Sequence, residues 1–229
     1  MRIIFIRHGH PNYKEDCLTE LGHLQAEAAA DRLSGEKIEG FFSSFCGRAV
    51  ETAEHIAARF GAEVTQLEFM REISWRAIDP EETIPHNGHP WSLAGELVRK
   101  GESLMNINWK QKYPFCRSRL LASIDKVEAG FDSWLAQFGY IREGEFYRVR
   151  GGDGRTVLLA SHAGSSTVVL SHLFNLPPML LFKAMGPDVT AITEVEFGGE
   201  DGELISPNLE LMNDARHIRG LTTEKYFGN

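Results

Sequence analysis

Cysteine is scarce in this chain: three residues in 229, Cys17, Cys46 and Cys116, odd in number and widely spaced. That pattern excludes a disulfide framework and the paired spacing of a zinc site, and leads us to expect free thiols in a reducing compartment. Long apolar runs are missing as well. The stretch after Arg2 is too short for the core of a secretory signal, and no run is long enough to cross a bilayer. Positive charge is also short, with 24 Lys and Arg against 32 Asp and Glu, a net charge of −8. Broad binding to nucleic acid or to an acidic membrane surface is therefore not expected. No internal repeat or low-complexity segment is visible. These absences together lead us to expect a cytoplasmic protein that binds neither nucleic acid nor membrane. An anionic ligand would have to be met by a local cluster of cations.

What is present is an ordinary globular composition, 42% hydrophobic and 24% charged, at a length normal for one α/β domain. Ile3 to Ile6 is a short continuous apolar run rich in β-branched and aromatic residues, the pattern of a strand buried on both faces of a parallel sheet. It stops at Arg7, His8 and Gly9, where open α/β sheets place their ligands. A guanidinium fork suits phosphate, an imidazole can serve as nucleophile or base near neutral pH, and Gly9 lets the backbone approach a ligand closely.

Downstream, Thr19 is a good N-cap for a helix in which Leu21, Leu24, Ala28 and Leu33 recur at helical spacing until Ser34-Gly35. Gly40 to Ser43 reads as a strand, Arg48 to Phe60-Gly61 as a helix, and Ala62 to Leu67 as an edge strand. Ile73 to Gly101 loses all periodicity among Pro80, Pro85, Pro90 and Asn87-Gly88, which reads as an irregular lid or binding loop. Helical spacing returns over Arg117 to Phe138. Tyr140 to Arg150 alternates as a strand, Val157 to Ser161 is a second buried strand, and Ser165 to Phe174 is a helix stopped before Pro177-Pro178. Val189 to Phe197 and Glu203 to Met212 form a hairpin whose exposed aromatics would permit a homodimer. The expected fold is α/β: one three-layer domain over 1–229, a mostly parallel central sheet with helices on both faces, and a substrate-specificity insertion at 73–112.

Four stretches stand in order along the chain: Arg7-His8-Gly9, Ser43-Ser44-Phe45-Cys46-Gly47-Arg48, Arg71-Glu72, and Ser161-His162-Ala163-Gly164. With Leu18-Thr19-Glu20-Leu21-Gly22 and Asn213-Asp214-Ala215-Arg216-His217 they resemble the histidine phosphatase superfamily, which includes the phosphoglycerate mutases and fructose bisphosphatase-type enzymes. The resemblance implies a phosphate pocket of Arg7, Arg48, His162 and Gly9, with His8 attacking phosphorus to give a phosphohistidine. It implies Glu72 as the acid that protonates the leaving oxygen and then activates water, with Asp79, Glu81 or Glu82 as alternatives. It also implies a small phosphorylated substrate and no metal or organic cofactor.

The residues after Gly9 depart from the family pattern: His10-Pro11 replaces an acid and a hydroxyl, and Lys14 falls where asparagine is frequent. These departures favour hydrolysis of a phosphomonoester over mutase-type transfer; a catalytically weak phospholigand-binding module is the third reading. Arg76, His86, His89, Arg99 and Lys100 are candidate contacts to the rest of the substrate. His86 and His89 lack further ligands for a metal, and Trp75, Trp91 and Trp109 read as packing residues. Asn213-Asp214 and His217 read as a structural turn.

Overall fold

The computed structural model describes residues 1–221; residues 222–229 of the expected domain lie outside the described residues. In chain order the strands and helices are β1 (Arg2–Arg7), β2 (Pro11–Asn12), β3 (Cys17–Leu18), α1 (Glu20–Leu33), β4 (Gly40–Ser44), α2 (Gly47–Ala58), β5 (Thr65–Leu67), α3 (Pro90–Arg99), α4 (Leu120–Ala136), β6 (Tyr140–Glu143), β7 (Phe146–Val149), β8 (Thr156–Ser161), α5 (Ala163–Leu173), α6 (Pro178–Ala184), β9 (Ile192–Glu196), β10 (Leu204–Ile205) and β11 (Asn208–Asp214).

The central sheet runs β11-β9-β1-β8-β4-β5. β1, β8, β4 and β5 are mutually parallel, and β9 is antiparallel to both β1 and β11. The two faces of β1 and β8 divide strictly by period two. Ile3, Phe5, Val157 and Leu159 belong to the core under α4, α5 and α6, whereas Ile4, Ile6, Leu158 and Ala160 belong to the core under α1 and α2. Burial on both sides is why these strands read as unbroken apolar runs. No helix among the described residues is long and apolar enough to cross a membrane.

Several expectations need correction. The buried stripe of α1 is Gly22, Ala26, Ala29, Ala30 and Leu33 with Gln25, while Leu24 is 56% exposed. Small residues let α1 lie close to the strand-end loop: a Cβ on Gly22 would sit 2.3 Å from the His10 carbonyl oxygen. Within the stretch expected to be irregular, α3 forms with Pro90 at its first turn and buries Leu93 and Ala94. Trp91 fastens it to the body, its Nε1–H donating to the Met185 carbonyl at 2.9 Å and its ring 4.8 Å from Phe182.

Tyr140 to Arg150 is a hairpin, β6 and β7, because Gly144 adopts φ +59° and reverses the chain in a two-residue turn. In the C-terminal pair, β9 and β11 do join, but Leu204–Ile205 is diverted to β7. Phe197, that segment's aromatic, is buried against Tyr140 and Tyr147, so its exposed apolar residues are the aliphatic Leu204, Leu209 and Met212. Pro177-Pro178 stops α5 and also starts α6, with Pro177 as its N-cap and Pro178 in its first turn.

Candidate active site

The register sets the site. Arg7 pairs with Ser161 and Ser43 with Ala160, so three parallel strands end side by side and release His8, His162 and the Ser44-to-Arg48 loop at the same sheet edge. His8 is 2% exposed. Its Nδ1 lies 2.7 Å from the Gly9 carbonyl oxygen, which can only accept, so the proton sits on Nδ1 and Nε2 carries the lone pair. Burial, reinforced by the Arg7 and Arg48 charges, holds the ring's pKa well below the ordinary histidine value.

Gly9 has a different part from the one expected of it. Its N–H donates to Thr52 Oγ1 at 3.0 Å, and a Cβ there would lie 2.6 Å from the Gly22 carbonyl oxygen. With its carbonyl on His8, the residue orients the imidazole and packs against α1, and its N–H is already engaged.

The two arginines are built alike. Arg7 Nη1 donates to the Pro187 carbonyl at 2.7 Å, and its Nε is buried without a partner in the protein. Arg48, in the first turn of α2, gives Nη1 to Asp16 and Nη2 to His162 Nδ1 at 3.1 Å, and its Nε is likewise buried and unpartnered. Since guanidinium cannot accept, His162 holds its proton on Nε2 and donates it to Ser44 Oγ at 2.8 Å. The His162 ring is fully buried, 5.2 Å from that of His8, and burial with the neighbouring positive charges pushes its pKa well down.

Of the carboxylates considered at the outset, Glu72 reaches this strand edge. Its Oε1 accepts from Ile73 N at 2.9 Å and Ser165 N at 3.1 Å, and its Oε2 from Gly164 N at 3.2 Å, so it crowns the first turn of α5. Burial raises its pKa against the pull of those N–H groups and of Arg7. Asp79 and Glu81 lie exposed in a turn, and Glu82 pairs with Arg117.

Gly164 admits the carboxylate, because a Cβ there would stand 2.5 Å from Glu72 Oε1 and from Ile73 Cγ1. Gly164→Ala is expected to displace Glu72 and, with Glu72 as a catalytic acid, to cut kcat by about 10²-fold, the scale of an ångström-sized misplacement, in a protein that still folds. Steady-state kinetics and a melting curve check both halves.

The other candidates lie apart. His86 pairs with Glu96, His89 with Ser92, and both stand in the insertion; among the described residues no group of three or more His, Cys, Asp or Glu could hold a metal. Trp75 and Trp91 pack with His89, and Trp109 is buried against Phe115. Lys14 is exposed in the turn set by Asn12. Asn213 and His217 are structural, bonding Asp188 N and Thr190 Oγ1. Sequence reasoning missed Asp16, Ser44, Thr52 and the Pro187 carbonyl, which touch the site only through its arginines, His162 and Gly9.

Residues 3–115 match the sequence model of the histidine phosphatase superfamily, branch 1. The fold is shared with phosphoserine phosphatase from Entamoeba histolytica, at 20% identity over 95% of this chain and 99% of that one, TM-score 0.61. It is shared too with mycobacterial glucosyl-3-phosphoglycerate phosphatase, at 21% identity over 93% and 98%, TM-score 0.62. A third such structure is the alpha-ribazole phosphatase from Shigella flexneri, at 17% identity over 94% and 97%, TM-score 0.61. No curated protein sequence matches the chain. The mixed α/β architecture is that of the phosphoglycerate mutase-like phosphatases. The match covers residues 3–115, just under half of the chain, and the fold over nearly all of it is that of these phosphatases.

Proposed function

We propose that the protein hydrolyses a small phosphomonoester through a phosphohistidine on His8, with no metal or organic cofactor. The observation that carries this reading is the pair of guanidinium groups beside His8, each anchored through Nη1 and each with a buried, unpartnered Nε–H. A buried N–H without an acceptor costs roughly 1–3 kcal/mol. The oxygens of a phosphoryl group can accept from these donors in charge-assisted bonds.

In this reading the phosphate dianion settles among Arg7, Arg48 and His162, whose Nδ1 keeps accepting from Arg48 Nη2 and so holds that guanidinium in place. His8 Nε2, its Nδ1 proton fixed on the Gly9 carbonyl, attacks phosphorus in line. Glu72, its proton held more tightly because the carboxyl is buried, gives that proton to the leaving oxygen. The resulting carboxylate takes a proton from water as the water attacks the phosphohistidine, releasing phosphate and regenerating His8. The positive groups stabilise the charge on the equatorial oxygens in both steps. The insertion at 73–112 selects the leaving group. Trp91 ties it to Met185, two residues before the carbonyl that anchors Arg7. Three unpaired cysteines suit the cytoplasm.

Phosphate release from a panel of phosphomonoesters, measured with a chelator present, tests the proposal. Chelator-resistant hydrolysis of at least one ester is expected. Transfer without net release would indicate a mutase, and retention of phosphate with no turnover a binding module.

A further inference from the structure

Arg48 can serve a phosphoryl group only if its fork is aimed, and a long side chain with several rotatable bonds does not aim itself. We propose that Asp16 is the positioning residue that sets Arg48, an inference that rests on the phosphatase reading above. Asp16 lies in the loop between β2 and β3, beyond the Arg7-His8-Gly9 strand end. Its Oδ1 accepts from Arg48 Nη1, and its Oδ2 accepts from Gly47 N at 3.0 Å. One carboxylate thus holds both the backbone of the first turn of α2 and the side chain that this turn presents.

The loop is built to keep it there. Leu18 N donates to Glu51 Oε2 at 2.6 Å, pinning the loop to α2 one turn beyond Arg48. Tyr13 places its ring 5.4 Å from the Arg48 guanidinium. Asp16 adopts φ +52°, a left-handed conformation that costs a non-glycine residue energy and that the surrounding contacts must impose. Gly47 permits the approach, since a Cβ there would meet the Asp16 carbonyl oxygen at 2.1 Å.

The division of donors gives the clasp its consequence. Asp16 takes Nη1 and His162 takes Nη2, so the guanidinium is fixed at two points and its buried Nε–H is left for the ligand. Without Asp16 the fork keeps only its His162 contact, and the affinity it supplies falls. The loss is that of a charge-assisted contact made through a neighbour.

The test compares Asp16→Ala, Asp16→Asn and Asp16→Ser by kcat/KM on an aryl phosphate and by calorimetric affinity for orthovanadate, with and without Arg48→Ala. Asp16→Ala is expected to lower both quantities about 10- to 100-fold, as loss of a hydrogen bond to a charged group does. Asn keeps an acceptor for Nη1 and should recover to within about tenfold of wild type. Ser can still cap Gly47 N but is too short to hold Arg48 as well, so it should behave as Ala while keeping the melting temperature of wild type; it carries the test if Asp16→Ala folds poorly. In the Arg48→Ala background, Asp16→Ala should have no further effect. Wild-type kinetics and affinity in Asp16→Ser, or losses that multiply with Arg48→Ala, would overturn the proposal and leave Asp16 a helix cap. A folded wild type that neither turns over an ester nor binds vanadate would instead overturn the phosphatase reading on which the clasp depends.

Discussion

His8→Ala is expected to abolish turnover, with kcat down about 10⁴-fold or more, the scale of removing a nucleophile from an assembled site. The fold should survive, because β1 is held by its ladder to β8 and β9 and by the buried runs on its two faces, and His8 lies beyond the strand end. The positive pocket should survive as well. Arg7 is anchored by the Pro187 carbonyl and Arg48 by Asp16, neither through His8, so the variant should still bind phosphate or vanadate. Binding without turnover is the signature of a lost nucleophile; a folded variant within about tenfold of wild-type kcat would show that attack comes from elsewhere.

In the proposed mechanism Glu72→Gln separates the two halves of the reaction. Protonation of an alkoxide by a positioned acid is worth about 10²–10⁴-fold, so the first turnover on an alkyl phosphate should slow by that factor. An aryl phosphate with a good leaving group needs no such proton, and its first turnover should stay within about tenfold of wild type. The second step then exposes the loss, since water must attack without its base. An aryl ester should therefore give a burst of phenolate followed by slow turnover.

The pH dependence follows from the same groups. The pKa of His8 is depressed, so the neutral nucleophile persists as pH falls through the ordinary histidine value and activity drops only below it. Glu72 is raised, so the protonated acid is lost on the alkaline side at a higher pH than for an exposed carboxyl. That alkaline limb should vanish in Glu72→Gln for the first turnover on alkyl esters. Equal first-turnover losses on alkyl and aryl esters would remove Glu72 from the role of acid.

The sheet was legible because β1 and β8 are buried on both faces, which makes Ile3 to Ile6 and Val157 to Ala160 unbroken apolar runs rich in β-branched and aliphatic residues. α4 was legible for the same kind of reason, its stripe from Leu120 to Leu135 being large and regular. α1 misled because its contact face is made of glycine and alanine. Hydrophobicity points to Leu21 and Leu24, whereas close approach selects the smallest side chains. α3 was hidden by the prolines and Asn87-Gly88 around it, although Trp91, Leu93, Ala94 and Leu97 carry helical spacing. In the site, Arg7, His8, Arg48 and His162 announce themselves because each follows the end of an apolar run. Asp16, Ser44 and Thr52 do not, since their meaning depends on which strand ends the register sets side by side. That Glu72, rather than Asp79, Glu81 or Glu82, reaches the strand ends was likewise not legible, since it depends on the contact of Glu72 with the first turn of α5.

The most direct test is to trap the covalent intermediate. Wild type and Glu72→Gln are mixed with a phosphoryl-labelled aryl ester, quenched in alkali during turnover, digested and mapped. A phosphoryl label is expected on His8 that is stable to alkali and lost in mild acid, that accumulates in Glu72→Gln, and that is missing from His8→Ala. A label on another residue, or turnover with no covalent label in either protein, would contradict the phosphohistidine mechanism.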